Sequence, residues 1–288
     1  MQKDTLHRFM FENTAIRGNL VHLNEALKSA LQYHNYPLQL RILLGELMAA
    51  SAMLSATLKM DGALILQIQG KGALKLLVVE CTAELNLRAT AKWHGDLADD
   101  FKQMIGEGHC VITLDPEEGE PYQGIVPIEG DSIAEMLENY MLRSQQIDSK
   151  LWLHCDGDNA AGMLLQKMPN QAETDVDAWN RLGILAETVT NEELQTLAPE
   201  ALLTRLFNEE DIRLFTAQAT QFFCSCSRSG VANMLNMLGK EEVDSILAER
   251  GNVEVNCDFC NRQYQFDAID ATALFANESV VPSSSAKH

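Results

Sequence analysis

Residues whose types and spacing can do chemistry sit near the C-terminal end: Cys224-Ser225-Cys226, then Cys257-Asp258-Phe259-Cys260, with residues 227–256 between the pairs. Four thiols in two close pairs are what a tetrahedral Zn²⁺ takes, because zinc binds deprotonated sulfur and a structural site fills all four positions. The same atoms can also make two short-range disulfides. Four protein ligands leave no open coordination position, which argues against hydrolytic zinc chemistry. A bound zinc would keep the sulfurs as thiolates, the form that oxidants attack. Oxidation to Cys224–Cys226 and Cys257–Cys260 disulfides would expel the ion, and the tight ring of a C-x-C disulfide is readily reduced again. On this chemistry a permanent zinc ribbon and a redox switch are both open.

The elements that must hold these thiols are small. Between the pairs, Ser229–Leu238 and Glu241–Arg250 read as short helices, Gly251 ends the second, and Val253–Val255 and Tyr264–Phe266 read as strands flanking the second pair. The fragment has few apolar residues, among them Val231, Met234, Leu235, Leu238, Val243, Ile246 and Leu247. A segment of that size cannot bury enough surface to fold well alone, so a metal would supply the deficit. The residues after it, Asn277-Glu278-Ser279-Val280-Val281-Pro282 and a serine run, read as a disordered tail.

Residues 1–170 read as an α+β core domain. Asn24 is placed to cap a helix from Glu25 to about Tyr33, and Pro37 opens a longer one, Leu38–Lys59, with Leu40, Leu43, Leu44, Leu47 and Met48 at helical spacing. Strands are expected at Ala63–Gln69, Leu74–Cys81, Glu84–Lys92, His109–Leu114 and Tyr122–Pro127, then helices at Ser132–Arg143 and Ala161–Lys167. Residues 171–223 carry ten acids against Arg181, Arg205 and Arg213 and read as an acidic helical linker. Thr190 with Glu193 makes a capping box, Pro199 suits a first turn, and Asn208 is a candidate cap for a further helix. Its apolar residues, including Trp179, Leu182, Ile184, Leu203 and Phe207, form stripes on helices too short to stand alone in water. An ordinary helical subdomain and a conditionally stable linker both fit. Residues 224–288 complete the chain as the zinc-binding module with its tail.

Composition narrows the function. Hydrophobic residues make up 46% of the 288, ordinary for a globular core, but 22 Lys+Arg against 41 Asp+Glu leave a net charge of −19. Such a field repels phosphate backbones, so a nucleic-acid partner is not expected. The start lacks an apolar signal core, and no apolar run is expected to span a membrane. Seven cysteines without a signal point to a reducing cytoplasm, where close pairs are more often metal or redox sites than structural disulfides. Cys81, Cys110 and Cys155 lie at or near likely strands and read as core thiols, and His154-Cys155-Asp156 is set aside as a nucleophile pair because neighbouring strand residues face opposite ways. Gly70-Lys71-Gly72 is a turn and lacks the rest of a dinucleotide fingerprint.

Phe223-Cys224-Ser225-Cys226-Ser227-Arg228 and Cys257–Tyr264 resemble the signature of the redox-regulated 33 kDa heat-shock chaperones. Ile16-Arg17-Gly18, Gly119–Pro127, Glu138–Gln146 and Ala161–Pro169 resemble that family too, so the likeness runs through most of the chain. It implies an ATP-independent holdase without catalytic residues. One Zn²⁺ on Cys224, Cys226, Cys257 and Cys260 would mark the inactive reduced state. Oxidation to two disulfides, with the C-terminal pair sensing peroxide first, would unfold the module and the linker. Unfolding client proteins would be the partners, the active form a homodimer, and Trp179, Leu182, Leu203 and Phe207 candidates for client contact. A thiol-disulfide oxidoreductase and a zinc-stabilised interaction module are the alternatives.

Overall fold

A computed structural model describes residues 4–58, 60–168 and 175–276. The chain divides into two compact units, one ending at Phe223 and the other beginning at Cys224. The first opens with strands β1 (Thr5–Phe11) and β2 (Ile16–Leu23), then helices α1 (Glu25–Leu31) and α2 (Leu38–Ser55). A meander follows: β3 (Gly62–Gly70), β4 (Leu74–Thr82) and β5 (Asn86–Trp93). After α3 (Phe101–Ile105) come β6 (Gly108–Pro116), β7 (Tyr122–Pro127) and α4 (Ile133–Ser144). Strands β8 (Ser149–Cys155) and β9 (Ala160–Lys167) precede helices α5 (Ala178–Ala186), α6 (Asn191–Thr196) and α7 (Pro199–Leu206). The unit closes on short strands β10 (Ile212–Leu214), β11 (Gln218–Ala219) and β12 (Gln221–Phe222).

Two sheets enclose α2, as an α+β arrangement of helices and mainly antiparallel strands. One sheet has the order β10-β1-β2-β9-β8, with β11 also on β1; the other runs β12-β5-β4-β3-β6-β7. Helix α2 packs on strands of both, and Leu40, Leu43, Leu44, Leu47 and Met48 are all buried, as their spacing predicts. By length and composition α2 is apolar enough to cross a membrane, which corrects the expectation that no run reaches that length. In the fold 72% of that window is buried, the environment of a core helix covered on both sides.

The second face of the β1-β2-β9 sheet carries α5, α6 and α7. Phe9, Phe11, Ile16, Leu20, Ala161, Met163 and Leu165 form one core with Leu182, Leu194, Leu202, Leu203, Leu206 and Phe207. Gly18 is required here: it pairs with Phe9 across β1 and β2, and a Cβ at Gly18 would stand 2.1 Å from the Phe9 ring. The capping box is present, with Thr190 Oγ1 accepting from the Glu193 amide at 3.2 Å, and Pro199 occupies the first turn of α7.

Four expectations need correction. Residues Ala160–Lys167 are a strand, β9. It is the second strand from one end of its sheet and buried on both faces, so its apolar run has no alternation to distinguish it from a helix. Asn24 does not cap α1 with its side chain; the Asp4 carboxylate accepts from the amides of Asn24 (2.6 Å), Glu25 (3.1 Å) and Ala26 (3.0 Å) instead. No helix follows Asn208, because the chain makes a single turn, with the Glu210 amide donating to the Phe207 carbonyl (3.0 Å), and then enters β10, whose Leu214 pairs with Phe9. Helix α2 ends at Ser55 rather than running on toward Lys59. Lys59, the beginning of the expected linker, and the expected disordered tail lie outside the described residues.

Candidate metal centre

The second unit has α8 (Arg228–Leu238), α9 (Lys240–Arg250), β13 (Val253–Asn256), β14 (Gln263–Phe266) and α10 (Ala268–Ala276). Its core is small: Leu235, Val243, Val253, Tyr264, Phe266 and Ala271 are buried, while Met234 and Leu238 are exposed. Ser227, directly after the first pair, caps α8 by accepting from the Gly230 amide at 3.1 Å. This fixes where Cys226 leaves the chain. The second pair occupies the turn of the β13-β14 hairpin. There the Asn261 amide donates to the Cys257 carbonyl (2.8 Å), the Cys257 amide donates to the Arg262 carbonyl (3.0 Å), and Asn261 takes a positive φ of 52°. Asparagine tolerates that left-handed conformation, which lets the chain reverse and aim both sulfurs inward.

The sulfurs of Cys224, Cys226, Cys257 and Cys260 all lie within 4.8 Å of one another, and among the described residues no other such gathering of metal-ligating side chains occurs. Cys224 Sγ is 3.6 Å from Cys257 Sγ, and Cys226 Sγ is 3.4 Å from Cys260 Sγ. A tetrahedral zinc with Zn–S bonds of ~2.3 Å has S···S edges of about 3.8 Å, so the donor set fits zinc in number, element and spacing. Closed by four sulfurs, such a site stabilises structure and leaves no place for a reacting water.

Hydrogen bonds tune the sulfurs. The Cys226 amide donates to Cys224 Sγ and the Arg262 amide to Cys260 Sγ, while the Tyr264 hydroxyl donates to Cys226 Sγ at 3.1 Å. Burial pushes the Cys226 thiol up, but Tyr264 and the neighbouring sulfurs outweigh it, and its pKa falls to about 7. Burial pushes Cys260 up to about 12 and also raises Cys224. Metal binding must release these protons, so affinity rises with pH. Replacing Tyr264 with Phe removes one hydrogen bond to a ligand sulfur. Zinc affinity is expected to fall about 10- to 100-fold, the usual effect of losing an outer-shell partner. Competition with a chromogenic chelator measures it; unchanged affinity would mean that the hydroxyl contributes only packing.

The other cysteines behave as core residues. Cys81, Cys110 and Cys155 are buried, and burial pushes each thiol up to about 12. Asp156, next to Cys155, is instead the acceptor of a tight turn, taking the amides of Asp158 (2.8 Å) and Asn159 (2.7 Å). Of the candidate client-contact residues, Leu182, Leu203 and Phe207 are buried against the β1-β2-β9 sheet, and Trp179 is half-buried under the Lys167 ammonium. Ile184, read as part of the same stripe, is 65% exposed.

Two features of the unit were not read from sequence. Helix α10 begins where the Asp267 carboxylate accepts from the amides of Ile269 and Asp270, both at 2.8 Å; an Asp before an apolar stretch was the available signal. Arg228, one residue past the α8 cap, donates to the Gln265 carbonyl (2.6 Å) and Asp270 (2.7 Å) and lies 4.2 Å from the Phe266 ring centroid. It thereby ties α8, β14 and α10 together around the sulfurs.

Comparison with known proteins agrees with this geometry. The profile of the family described as Hsp33 protein matches residues 4–267. A 33 kDa chaperonin of Methylobacillus flagellatus is 59% identical over 289 residues, covering 99% of both chains. One of Chromobacterium violaceum is 48% identical, covering 99% of this chain and 98% of its own. The crystal structure of the Thermotoga maritima 33 kDa chaperonin has the same fold, with a TM-score of 0.82 over 96% of this chain and 99% of that one, at 22% identity. A family match spanning both units, with relatives of the same length throughout, means that this chain belongs to the Hsp33 family of chaperones.

Proposed function

We propose that this protein is an oxidation-activated, ATP-independent holdase of a reducing cytoplasm, inactive when reduced and zinc-bound. The observation that carries the reading is the convergence of the four sulfurs of Cys224, Cys226, Cys257 and Cys260 to within 4.8 Å of one another. Zinc, when bound there, would supply the cross-link that the small C-terminal core lacks. Oxidation would join Cys224 to Cys226 and Cys257 to Cys260. In each pair one thiolate attacks peroxide, forming a sulfenic acid and releasing hydroxide, and the second thiolate displaces the sulfenic hydroxyl as a second hydroxide; solvent protonates both to water, and two electrons pass from sulfur to each peroxide. Cross pairs are within similar reach, since all edges of a tetrahedral site are alike, so the proposed pairing rests on neighbours in sequence and is checked by peptide mapping of the oxidised protein.

The three-part division follows: a core in 1–170, a linker in 171–223 and a switch in 224–288. Helices α5, α6 and α7 bury an apolar stripe through Leu182, Leu203 and Phe207. Their acids are partly neutralised by Arg181 with Glu210 (2.7 Å) and Arg205 with Glu193 (2.8 Å). Once loosened, the stripe offers Trp179, Leu182, Leu203 and Phe207 to unfolding clients, while the surrounding acids keep the complex dispersed. Activation would be accompanied by homodimerisation; nucleic acid and membrane have no part in it. The oxidoreductase alternative is disfavoured by placement: Cys257–Cys260 lies in a hairpin turn, without the helix N-terminus that activates a C-x-x-C thiolate.

The test treats the reduced protein with peroxide at elevated temperature while following zinc with a chelator dye and aggregation of a heat-denatured client by light scattering. Zinc release and aggregation suppression rising together, both reversed by reductant, is the expected outcome. Zinc retained, or released with no gain in suppression, refutes the switch; insulin-reductase activity would establish the oxidoreductase.

A further inference from the structure

Between the two sheets of the first unit, beside the C-terminal end of α2, lies a cavity of about 130 Å³. Leu54, Leu64 and Ile112 contribute to its mostly apolar wall, and Arg17 and Tyr140 supply polar groups. Arg17 is half-buried and has an unusual environment. Its Nε (3.1 Å) and Nη2 both donate to one atom, Gln166 Oε1. Gln166 is fully buried, and its own amide nitrogen is engaged by Ser149 Oγ at 3.0 Å, so the carbonyl is held toward the guanidinium. That neutral oxygen accepts two of the five guanidinium N–H groups. Among the described residues no carboxylate reaches Arg17, and burial without an anionic neighbour lowers its pKa. Guanidinium groups withdrawn from water are ordinarily paired, because an unpaired charge bears the desolvation cost alone.

Tyr140 is the second donor. Its hydroxyl accepts from Gln145 Nε2 at 2.8 Å, which leaves its own proton available. A mostly apolar cavity with two such donors has the makeup of a small-ligand site. The geometry points to a binding site for a short aliphatic monocarboxylate, its carboxylate on Arg17 and Tyr140 and its chain among Leu54, Leu64 and Ile112. Apolar cavities of about 150 Å³ hold a six-carbon ring, so this one suits a chain of about four to six carbons. Nothing in the chaperone reading requires this site, and its occupant would stabilise the first unit alone.

The probe is hexanoate, titrated into the full-length reduced protein by calorimetry and by thermal unfolding, with hexanol as the neutral control of equal chain length. The expected result is saturable binding with a rise in unfolding temperature, weakened about tenfold or more for hexanol and for Arg17→Gln, the range for a hydrogen bond to a charged group. Tyr140→Phe, a gentler change, is expected to weaken hexanoate and leave hexanol unaffected. That variant and the hexanoate–hexanol difference decide the matter if Arg17→Gln does not fold. Equal binding of hexanol and hexanoate, hexanoate binding unchanged in Tyr140→Phe, or no saturable hexanoate binding at tens of millimolar each overturns the proposal.

Discussion

Removing zinc with a chelator under reducing conditions is expected to unfold residues 224–276 while the first unit keeps its sheets. The buried core of the second unit is six residues, Leu235, Val243, Val253, Tyr264, Phe266 and Ala271. The first unit has two far larger cores, one of them built on the mostly buried α2. Apolar burial in so small a segment roughly cancels the entropy of ordering it. Structural zinc contributes ~10–16 kcal/mol of apparent free energy near neutral pH, as much as the whole stability of a typical domain. Hydrogen exchange read by segment is the measurement: amides of α8, α9, β13 and β14 should lose protection on chelation, and those of α2 and β9 should not. Cys257→Ser should mimic chelation, since it removes one ligand of four. Retained protection of the β13-β14 hairpin after complete metal removal would show that Arg228, Tyr264 and Phe266 suffice without the ion.

The cysteine site was legible because its chemistry is local. Two pairs at C-x-C and C-x-x-C spacing need only a short turn each, and Gly251, which ends α9 ahead of the hairpin that carries the second pair, is a short-range signal. Arg228 and Tyr264 were not legible, because their roles depend on partners 37 to 42 residues away in the case of Arg228 and 38 in the case of Tyr264. Sequence gives no distance across such gaps.

Elements of the first unit divide on the same line. The amphipathic helices and the hairpin of β3 and β4 follow their periodicity, and Tyr122–Pro127 is a strand with the expected bounds. Strand β9 differs from the helix its sequence suggests because its neighbours β2 and β8, together with α2 and α6, bury nearly every residue, so the pattern that separates strand from helix is erased. Asp4 capping α1 from across β1 and β2, and the tiny strands β10, β11 and β12 drawn out by pairing with β1 and β5, are tertiary outcomes. A stretch with Ile212-Arg213-Leu214 has no length of its own to announce a strand; the open edge of β1 makes it one.

Phe207→Ala is expected to activate the reduced, zinc-loaded protein without oxidant. The Phe207 ring is buried and meets Phe11 edge-to-face, with centroids 5.0 Å apart and planes at 87°. Phe11 in turn packs against Phe9 at 5.7 Å, so this contact anchors the end of α7 to β1. Truncating a buried Phe to Ala costs about 3–5 kcal/mol, a large share of what three short helices can hold against their own acidic repulsion. The cost falls on the docking of α5, α6 and α7, while the four cysteines are untouched. Protease cleavage within 178–206 should therefore rise and aggregation of a heat-denatured client should fall, with zinc still bound at one per chain. Ile184→Ala, at an exposed position of α5, is the control expected to change neither. Loosening of the helices without any gain in suppression would place client binding on another surface, and the buried stripe through Leu182, Leu203 and Phe207 would then be structural only. Suppression that appears together with zinc loss would instead mean that the linker and the metal site stabilise each other, so that either end can release the other.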